Sequence, residues 1–186
     1  MPLVAKSVST DKRIDITKCE NPRLELKKGD LICPLCEQEM VIVQGLKIIP
    51  HFRHKALCTT HYKQHAESIE HLQVKKLIAE QLKEVMSEYS RAQVEFEYPI
   101  PEIQRIIDVA FKFPNGWIVA HEVQLSAITT KELEQRTNDY LKAGIDVFWW
   151  LGKSADTETN REWCFDRFGE CLQIDYHQFT DLPSYQ

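Results

Sequence analysis

This chain lacks any apolar run near the about 20 residues needed to cross a membrane, so no membrane-spanning helix is expected. Its opening, Met1-Pro2-Leu3-Val4-Ala5-Lys6, lacks the apolar stretch of a secretory signal, and a cytoplasmic setting is the expectation. An excess of positive charge is also missing. The formal net charge is −5, which by itself points away from a nucleic-acid binder. Nor is the chain poor in apolar residues: at 43% they are ordinary for a globular protein, which argues against disorder. At 186 residues it is one full domain, or one domain and a small module.

The charge is unevenly placed. Residues 1–65 carry 11 Lys and Arg against 7 Asp and Glu, while residues 66–186 carry 12 against 21. A basic front on an acidic body can still grip a polyanion through the front. Six cysteines are present. Cys33 and Cys36 form a Cys-x-x-Cys pair, which in a chain of this setting favours a metal over a disulfide. Cys19, Cys164 and Cys171 have no nearby pattern and read as structural thiols.

The front reads as short strands over 3–8, 13–17, 31–32 and 40–48. It is too small and too polar to bury much core of its own, and a metal would supply the missing cohesion. Zinc takes four nitrogen or sulfur ligands, usually as two close pairs. Cys33 and Cys36 are one pair. His51, His54 and Cys58 are candidates for the other, with His61 and His65 following. Which two of His51, His54 and Cys58 ligate is left open. The close spacing of His51 and His54 argues against a standard DNA-reading finger.

Residues 66–88 read as a long helix. At roughly 100° per residue, Val74, Ile78, Leu82 and Val85 fall on one face, and Glu67, His71 and Lys75 continue that face toward the N-terminus. Buried charges are costly unless paired or metal-bound, so this polar half-stripe marks a candidate site. Three strands follow, 93–99, 104–113 and 117–125, the last two joined by Pro114-Asn115-Gly116. Simple alternation puts Asp108 on a face with Ala110, opposite Ile107 and Val109, and puts Glu122 on a face with Gln124. If those faces coincide, the two carboxylates sit side by side, and such a pair repels unless a cation lies between. A second helix is expected over 129–143, with Leu133, Arg136, Thr137 and Tyr140 on one face. An inward arginine needs an anion, either a protein carboxylate or a phosphate. Asp146–Leu151 reads as a fully buried strand. Arg161–Asp166 and Cys171–Tyr176, joined at Phe168-Gly169, read as a hairpin. The order helix, three strands, helix, strand predicts an α/β fold of mixed α+β type, a mixed sheet with helices on it.

With these residues placed, the body resembles the restriction-endonuclease-like, PD-(D/E)XK nuclease superfamily. The whole chain is similar to the competence protein CoiA family. The resemblance rests on Cys33-Pro-Leu-Cys36, Pro50-His51-Phe52-Arg53-His54, Glu67-Ser68 with His71 and Lys75, Arg105 to Asp108, Glu122-Val123-Gln124 with Ser126, Arg136-Thr137 with Tyr140, and the Gly144–Leu151 strand. It implies a zinc-stabilised front module joined to a nuclease-like core; with the elements read above, the chain divides into a β-rich zinc-binding module over 1–64, a core of order α-βββ-α-β over 65–152, and a β-hairpin extension over 153–186 that adds nothing to the match. It also implies a role near incoming or foreign DNA, in competence, recombination or defence, with DNA as partner and recombination or defence proteins as further ones.

A nuclease of this kind would hold Mg²⁺ or Mn²⁺ on Asp108 and Glu122, with Glu67 entering from the helix. Gln124 stands where the superfamily has a catalytic lysine, so the positive charge would have to come from Lys75, Arg136 or a protonated His71, with Tyr140 alongside. Three functions are weighed: a metal-dependent deoxyribonuclease, a DNA-binding recombination or uptake factor with little cleavage, and a zinc-containing protein-interaction module. The three carboxylates favour the first, Gln124 and the acidic body the second, and the acidic surface the third.

Overall fold

Asp, Asn-Pro and Gly break the front of the chain into short extended pieces. The computed structural model describes residues 2–46, 48–58 and 67–175. His61, His65 and Tyr176 lie outside them. Strands β1 (Val4–Ser7) and β2 (Arg13–Asp15), a one-turn helix α1 (Pro22–Glu25) and strand β3 (Leu31–Ile32) come first, and the strands pair antiparallel in the order β2-β1-β3. The single strand expected over 40–48 is instead a hairpin. β4 (Met40–Val43) ends before Gly45, and β5 (His51–His54) returns after Pro50, with Met40 opposite His54.

The body begins with α2 (Ile69–Val85), capped by the Ser68 hydroxyl, which accepts from the His71 amide at 3.2 Å. Then come β6 (Gln93–Ile100), β7 (Arg105–Lys112), β8 (Ile118–Gln124), α3 (Thr130–Lys142) and β9 (Asp146–Gly152). This is the expected α-βββ-α-β order. Thr129 and Glu132 form a capping box at the start of α3, and Gly144, at φ +72°, turns the chain out of it. β6, β7 and β8 run antiparallel, and the α3 crossover returns β9 parallel to β8. The sheet order is β10-β9-β8-β7-β6, so the sheet is mixed.

The expected terminal hairpin is not there. Residues 158–168 form a helix, α4 (Glu158–Phe168), and β10 (Leu172–Ile174) adds to the sheet parallel to β9. Two local signals account for it. The Thr157 side chain caps the helix by accepting from the Asn160 amide, and Gly169, at φ +78°, ends the helix where a hairpin turn was expected. Asn160 then bonds the Ile128 and Ala155 carbonyls and so ties α4 to the core.

β9 packs on both sides, but less completely than its sequence suggests: Asp146 is exposed, and Phe148 and Trp150 are half-buried. Val147, Trp149 and Leu151 pack with Leu133 and Tyr140 of α3, whereas Phe148 and Trp150 pack on the α2 side. Val85 departs from the expected stripe: it is 74% exposed, because the last turn of α2 runs past the residues that cover Val74 and Ile78. The front does not build a core alone. Leu3, Val4, Ile16, Met40 and Phe52 share one cluster with Leu72, Phe96, Val109 and Phe111, so front and body are held by the same apolar interior.

That interior contains a buried histidine. His121 lies among Tyr89, Phe111, Phe148 and Trp150. The Trp150 indole can only donate, and it donates to His121 Nδ1 at 3.0 Å, so Nε2 carries the proton toward the Tyr89 hydroxyl at 3.1 Å. The ring is neutral, and burial lowers its pKa from 6.5 to about 3. In the unfolded chain it takes a proton as pH falls through its ordinary value, while the folded ring resists. Stability from His121 is therefore complete above that value and is lost as pH falls toward 3. Unfolding free energy is expected to drop by about 2 kcal/mol from this residue between pH 7 and pH 5. Urea titrations of wild type and His121→Phe at both values check it: the variant's drop should be smaller by that amount.

Candidate metal sites

The site is made by a defect in the sheet. β6 and β7 pair in one register, Phe96 opposite Val109 and Tyr98 opposite Ile107, but the facing residues between them, Glu97 and Asp108, drop out of the ladder. Glu97 takes φ +50°, a left-handed value rare for such a residue inside a strand. The pleat slips there. Ile107 packs on the α3 side and Val109 on the α2 side, while the Asp108 carboxylate reaches His71 of α2. The face expected from simple alternation, Asp108 with Ala110, is therefore wrong, because the alternation is broken at Asp108 itself.

On the α2 side, His71 is the hub. Its Nε2 lies 3.3 Å from Asp108 Oδ2 and donates to the Val123 carbonyl at 2.9 Å, and its Nδ1 lies 3.3 Å from Glu67 Oε1. One ligand atom from each of Glu67, His71 and Asp108 falls within 4.8 Å of the other two, a grouping that could hold a metal ion. Asp108 also accepts from the Val123 amide at 2.9 Å. Lys75 has no exposed surface and sits between Glu67 at 2.5 Å and Glu97 at 2.8 Å. Burial opposes charge on all of these groups; mutual attraction outweighs it at Glu67, His71, Lys75 and Asp108, whereas at Glu97 burial wins over Lys75 and raises the pKa. Asp108 is held well below the usual carboxylate range by His71 and Lys75, and Glu67 is lowered by Lys75 and His71. Asp108 and Glu67 push His71 up to about 10, so without a cation the ring carries the positive charge.

Glu122 lies on the other side of the strand, with the α3 residues. It is fully buried and pairs with the Arg136 guanidinium, the Tyr140 hydroxyl at 2.8 Å and the Asp108 amide at 3.2 Å. The anion that the inward Arg136 requires is thus a protein carboxylate. The structure does not bring the Glu122 side chain into the Glu67–His71–Asp108 group; it touches that group through the Asp108 backbone. Gln124 is engaged at both ends of its amide. Its oxygen accepts from Arg136 at 3.1 Å, and its nitrogen donates to the Ser126 carbonyl and hydroxyl at 2.9 Å each. Arg136 also lies over the Trp149 ring, 4.6 Å from its centroid. Removing the guanidinium would strand a buried carboxylate. Arg136→Met is expected to cost about 3–5 kcal/mol, read as a lower urea midpoint.

In the front, Cys33, Cys36, His54 and Cys58 come together as a second grouping that could hold a metal ion. Cys36 Sγ is 3.4 Å from His54 Nε2 and 3.4 Å from Cys58 Sγ. His51 is not part of it: its Nδ1 bonds the Ile49 carbonyl at 3.0 Å and its ring is buried. Burial pushes the Cys33 thiol up to about 12. Three sulfurs and one imidazole are the donor chemistry of a closed tetrahedral centre.

Glu97 was not expected here. Its sequence position reads as an outward residue of a strand alternating around Phe96 and Tyr98. One clue was available, since hairpin pairing sets Glu97 directly across from Asp108.

Among the described residues no helix is long and apolar enough to cross a membrane. Comparison with known proteins adds the following. Residues 67–186 match the family described as competence protein CoiA, nuclease-like domain, and residues 15–63 match competence protein CoiA, N-terminal domain. The competence protein CoiA of Bacillus subtilis (strain 168) is 29% identical over 130 residues, which is 70% of this chain and 33% of that protein. This chain thus spans about a third of that relative's length. Two solved structures show weak likeness. An EndoMS–dsDNA2 complex is 12% identical with a TM-score of 0.36, over 75% of this chain and 65% of that one. A repair endonuclease from Pyrococcus abyssi is 13% identical with a TM-score of 0.37, over 92% and 88%. At these scores neither adds to the reading of the site. The nuclease-like match alone takes in well over half of the residues, and the chain belongs to the competence protein CoiA family.

Proposed function

We propose that this chain is a metal-dependent DNA endonuclease or exonuclease that acts on incoming or foreign DNA, in competence, recombination or defence. One observation carries the reading: Glu67, His71 and Asp108 converge from a helix start, a helix and a strand defect into one compact ligand group within a nuclease-like domain. Two carboxylates and an imidazole fit Mg²⁺ or Mn²⁺. When bound, the cation would polarise a phosphoryl oxygen and lower the pKa of an attacking water.

The chain's own groups would do the rest. Asp108 and Glu67 hold the cation, and Glu122, through the Asp108 amide, fixes the backbone that aims Asp108. Lys75 offsets the carboxylates from behind, out of reach of solvent. Arg136, fixed between Glu122 and Gln124, would place a cation in contact with the side chain that stands in the absent lysine's position. Tyr140 keeps Glu122 oriented. The front grouping is read as structural zinc on Cys33, Cys36, His54 and Cys58.

A second reading has a specific observation behind it. Both N–H groups of the Gln124 amide are engaged by Ser126 and its oxygen already accepts from Arg136, so it has no donor left to hold a water. That favours a DNA-binding recombination or uptake factor with little or no cleavage. The two are separated by incubating the protein with single-stranded, duplex and branched DNA in Mg²⁺, Mn²⁺ or EDTA. Cleavage that EDTA abolishes supports the nuclease. Salt-dependent binding without cleavage supports the alternative.

A further inference from the structure

Glu97 is a largely buried carboxylate, its side chain 13% exposed, that the reading above does not use. Its Oε1 accepts from the Leu3 amide at 2.8 Å and from Lys75 Nζ at 2.8 Å, and its Oε2 accepts from the Val4 amide at 3.2 Å. Two of these donors are backbone amides at the start of the first strand, Val4 and the residue just before it, more than 90 residues away in sequence. The third is the ammonium that Glu67 shares. From β2, Arg13 donates to the Phe96 and Glu97 carbonyls at 2.6 and 2.8 Å. The front of the chain therefore grips the sheet defect twice, once at the Glu97 side chain and once at its backbone. The left-handed φ of Glu97 is strained for a residue with a side chain and persists only where the surroundings impose it. Here the surroundings are β1, β2 and Lys75.

We propose that Glu97 is a positioning residue for the candidate metal site: it shares Lys75 with Glu67, drawing the ammonium partly off that ligand, and makes the site's final geometry depend on the seating of the front strands. The proposal rests on the metal-site reading above. The polar chain runs from the Leu3 and Val4 amides through Glu97, Lys75 and Glu67 to His71 and Asp108. Each link is within hydrogen-bond or ion-pair distance. With Glu97 in place, Lys75 is divided between two carboxylates and Glu67 keeps charge to offer a cation. Without it, Lys75 has Glu67 as its one remaining partner among these carboxylates and competes with the cation for it. Groups one step behind a metal ligand commonly change affinity by about 10–100-fold when altered.

The test is Mn²⁺ binding by calorimetry to the full chain, with amide hydrogen exchange at Leu3 and Val4. Glu97→Gln keeps the shape and removes the charge. It is expected to weaken Mn²⁺ about 10–100-fold and to speed exchange at both amides. Glu95→Gln is the control: Glu95 is on the same strand, but it pairs with Lys112 at 2.9 Å and reaches Arg13 at 4.0 Å, not Lys75, so its loss should leave Mn²⁺ binding as in wild type. If Glu97→Gln does not fold, Glu97→Asp carries the test, because it keeps the charge but shortens the reach; the same weakening is expected. A folded Glu97 variant that binds Mn²⁺ like wild type overturns the proposal, as does an equal loss in Glu95→Gln or a wild type that binds no Mn²⁺. DNA cleavage is scored separately. A wild type that binds Mn²⁺ yet cuts nothing defeats the nuclease reading and leaves the role of Glu97 decided by the calorimetry.

Discussion

Asp108→Asn is expected to reduce Mg²⁺- or Mn²⁺-dependent DNA cleavage by about 10³-fold or more, the rate equivalent of the several kcal/mol that a metal ion contributes to a phosphoryl transition state. The change is nearly isosteric. Its effect lies in charge and in hydrogen-bond polarity. Asp108 accepts from the Val123 amide and faces the protonated His71 ring. Both donors meet the same oxygen, Oδ2, so an asparagine oxygen there could still accept from them, while its uncharged NH₂ replaces the other carboxylate oxygen. The cluster also loses one of its two negative ligands. Glu122→Gln supplies an informative contrast. Its carboxylate pairs with Arg136 and Tyr140 on the far side of the strand, so its substitution should act mainly through stability. The measurement is initial cleavage rate at saturating metal, with melting temperature recorded for each variant. Cleavage by Asp108→Asn within tenfold of wild type would sink the nuclease assignment.

Loss of the front metal should have the larger effect on folding. Purified protein is expected to hold one zinc per chain. Cys36→Ala, at the contact with both His54 and Cys58, should hold close to none. Structural zinc in small modules contributes about 10–16 kcal/mol of apparent binding free energy. Only part of that will appear as stability, since unfolded thiols also bind zinc. A loss of several kcal/mol is still expected, which in a chain of this size lowers the melting temperature by about 10 °C or more. The effect should not stay local. Cys33, Met40 and Phe52 share a core with Leu72 and Phe96, so loosening the front exposes the α2 side of the sheet. Zinc content by elemental analysis and a thermal scan check both halves. A wild-type zinc content near zero would refute the site.

Much of this architecture could be read from the chain, and the failures have physical causes. Glu67, His71 and Lys75 were legible because four-residue spacing near a helix start leaves them on one face. The partner of Arg136 was legible as a class, because an inward guanidinium demands an anion. The direction of Asp108 was not, since two-residue alternation assumes an unbroken pleat and the pleat breaks there. The choice between His51 and His54 had a usable signal: residues three apart in a strand point to opposite faces, so only one of them can face the cysteines. α4 was misread because Trp163 and Phe165 suit strand or helix equally, and the Thr157 cap and Gly169 stop were the deciding residues. Glu97 was hidden by the same assumption that hid Asp108.

The Arg13 contacts have a consequence for solubility. β6 is an edge strand, eight residues long, carrying Phe96 and Tyr98. An open edge of that length invites pairing with other chains. Arg13 already occupies two of its carbonyls and brings a fixed positive charge to the margin of the sheet. The front strands thus shield the body from self-association. A body cut free of them would be prone to aggregate even with every ligand of its metal site intact.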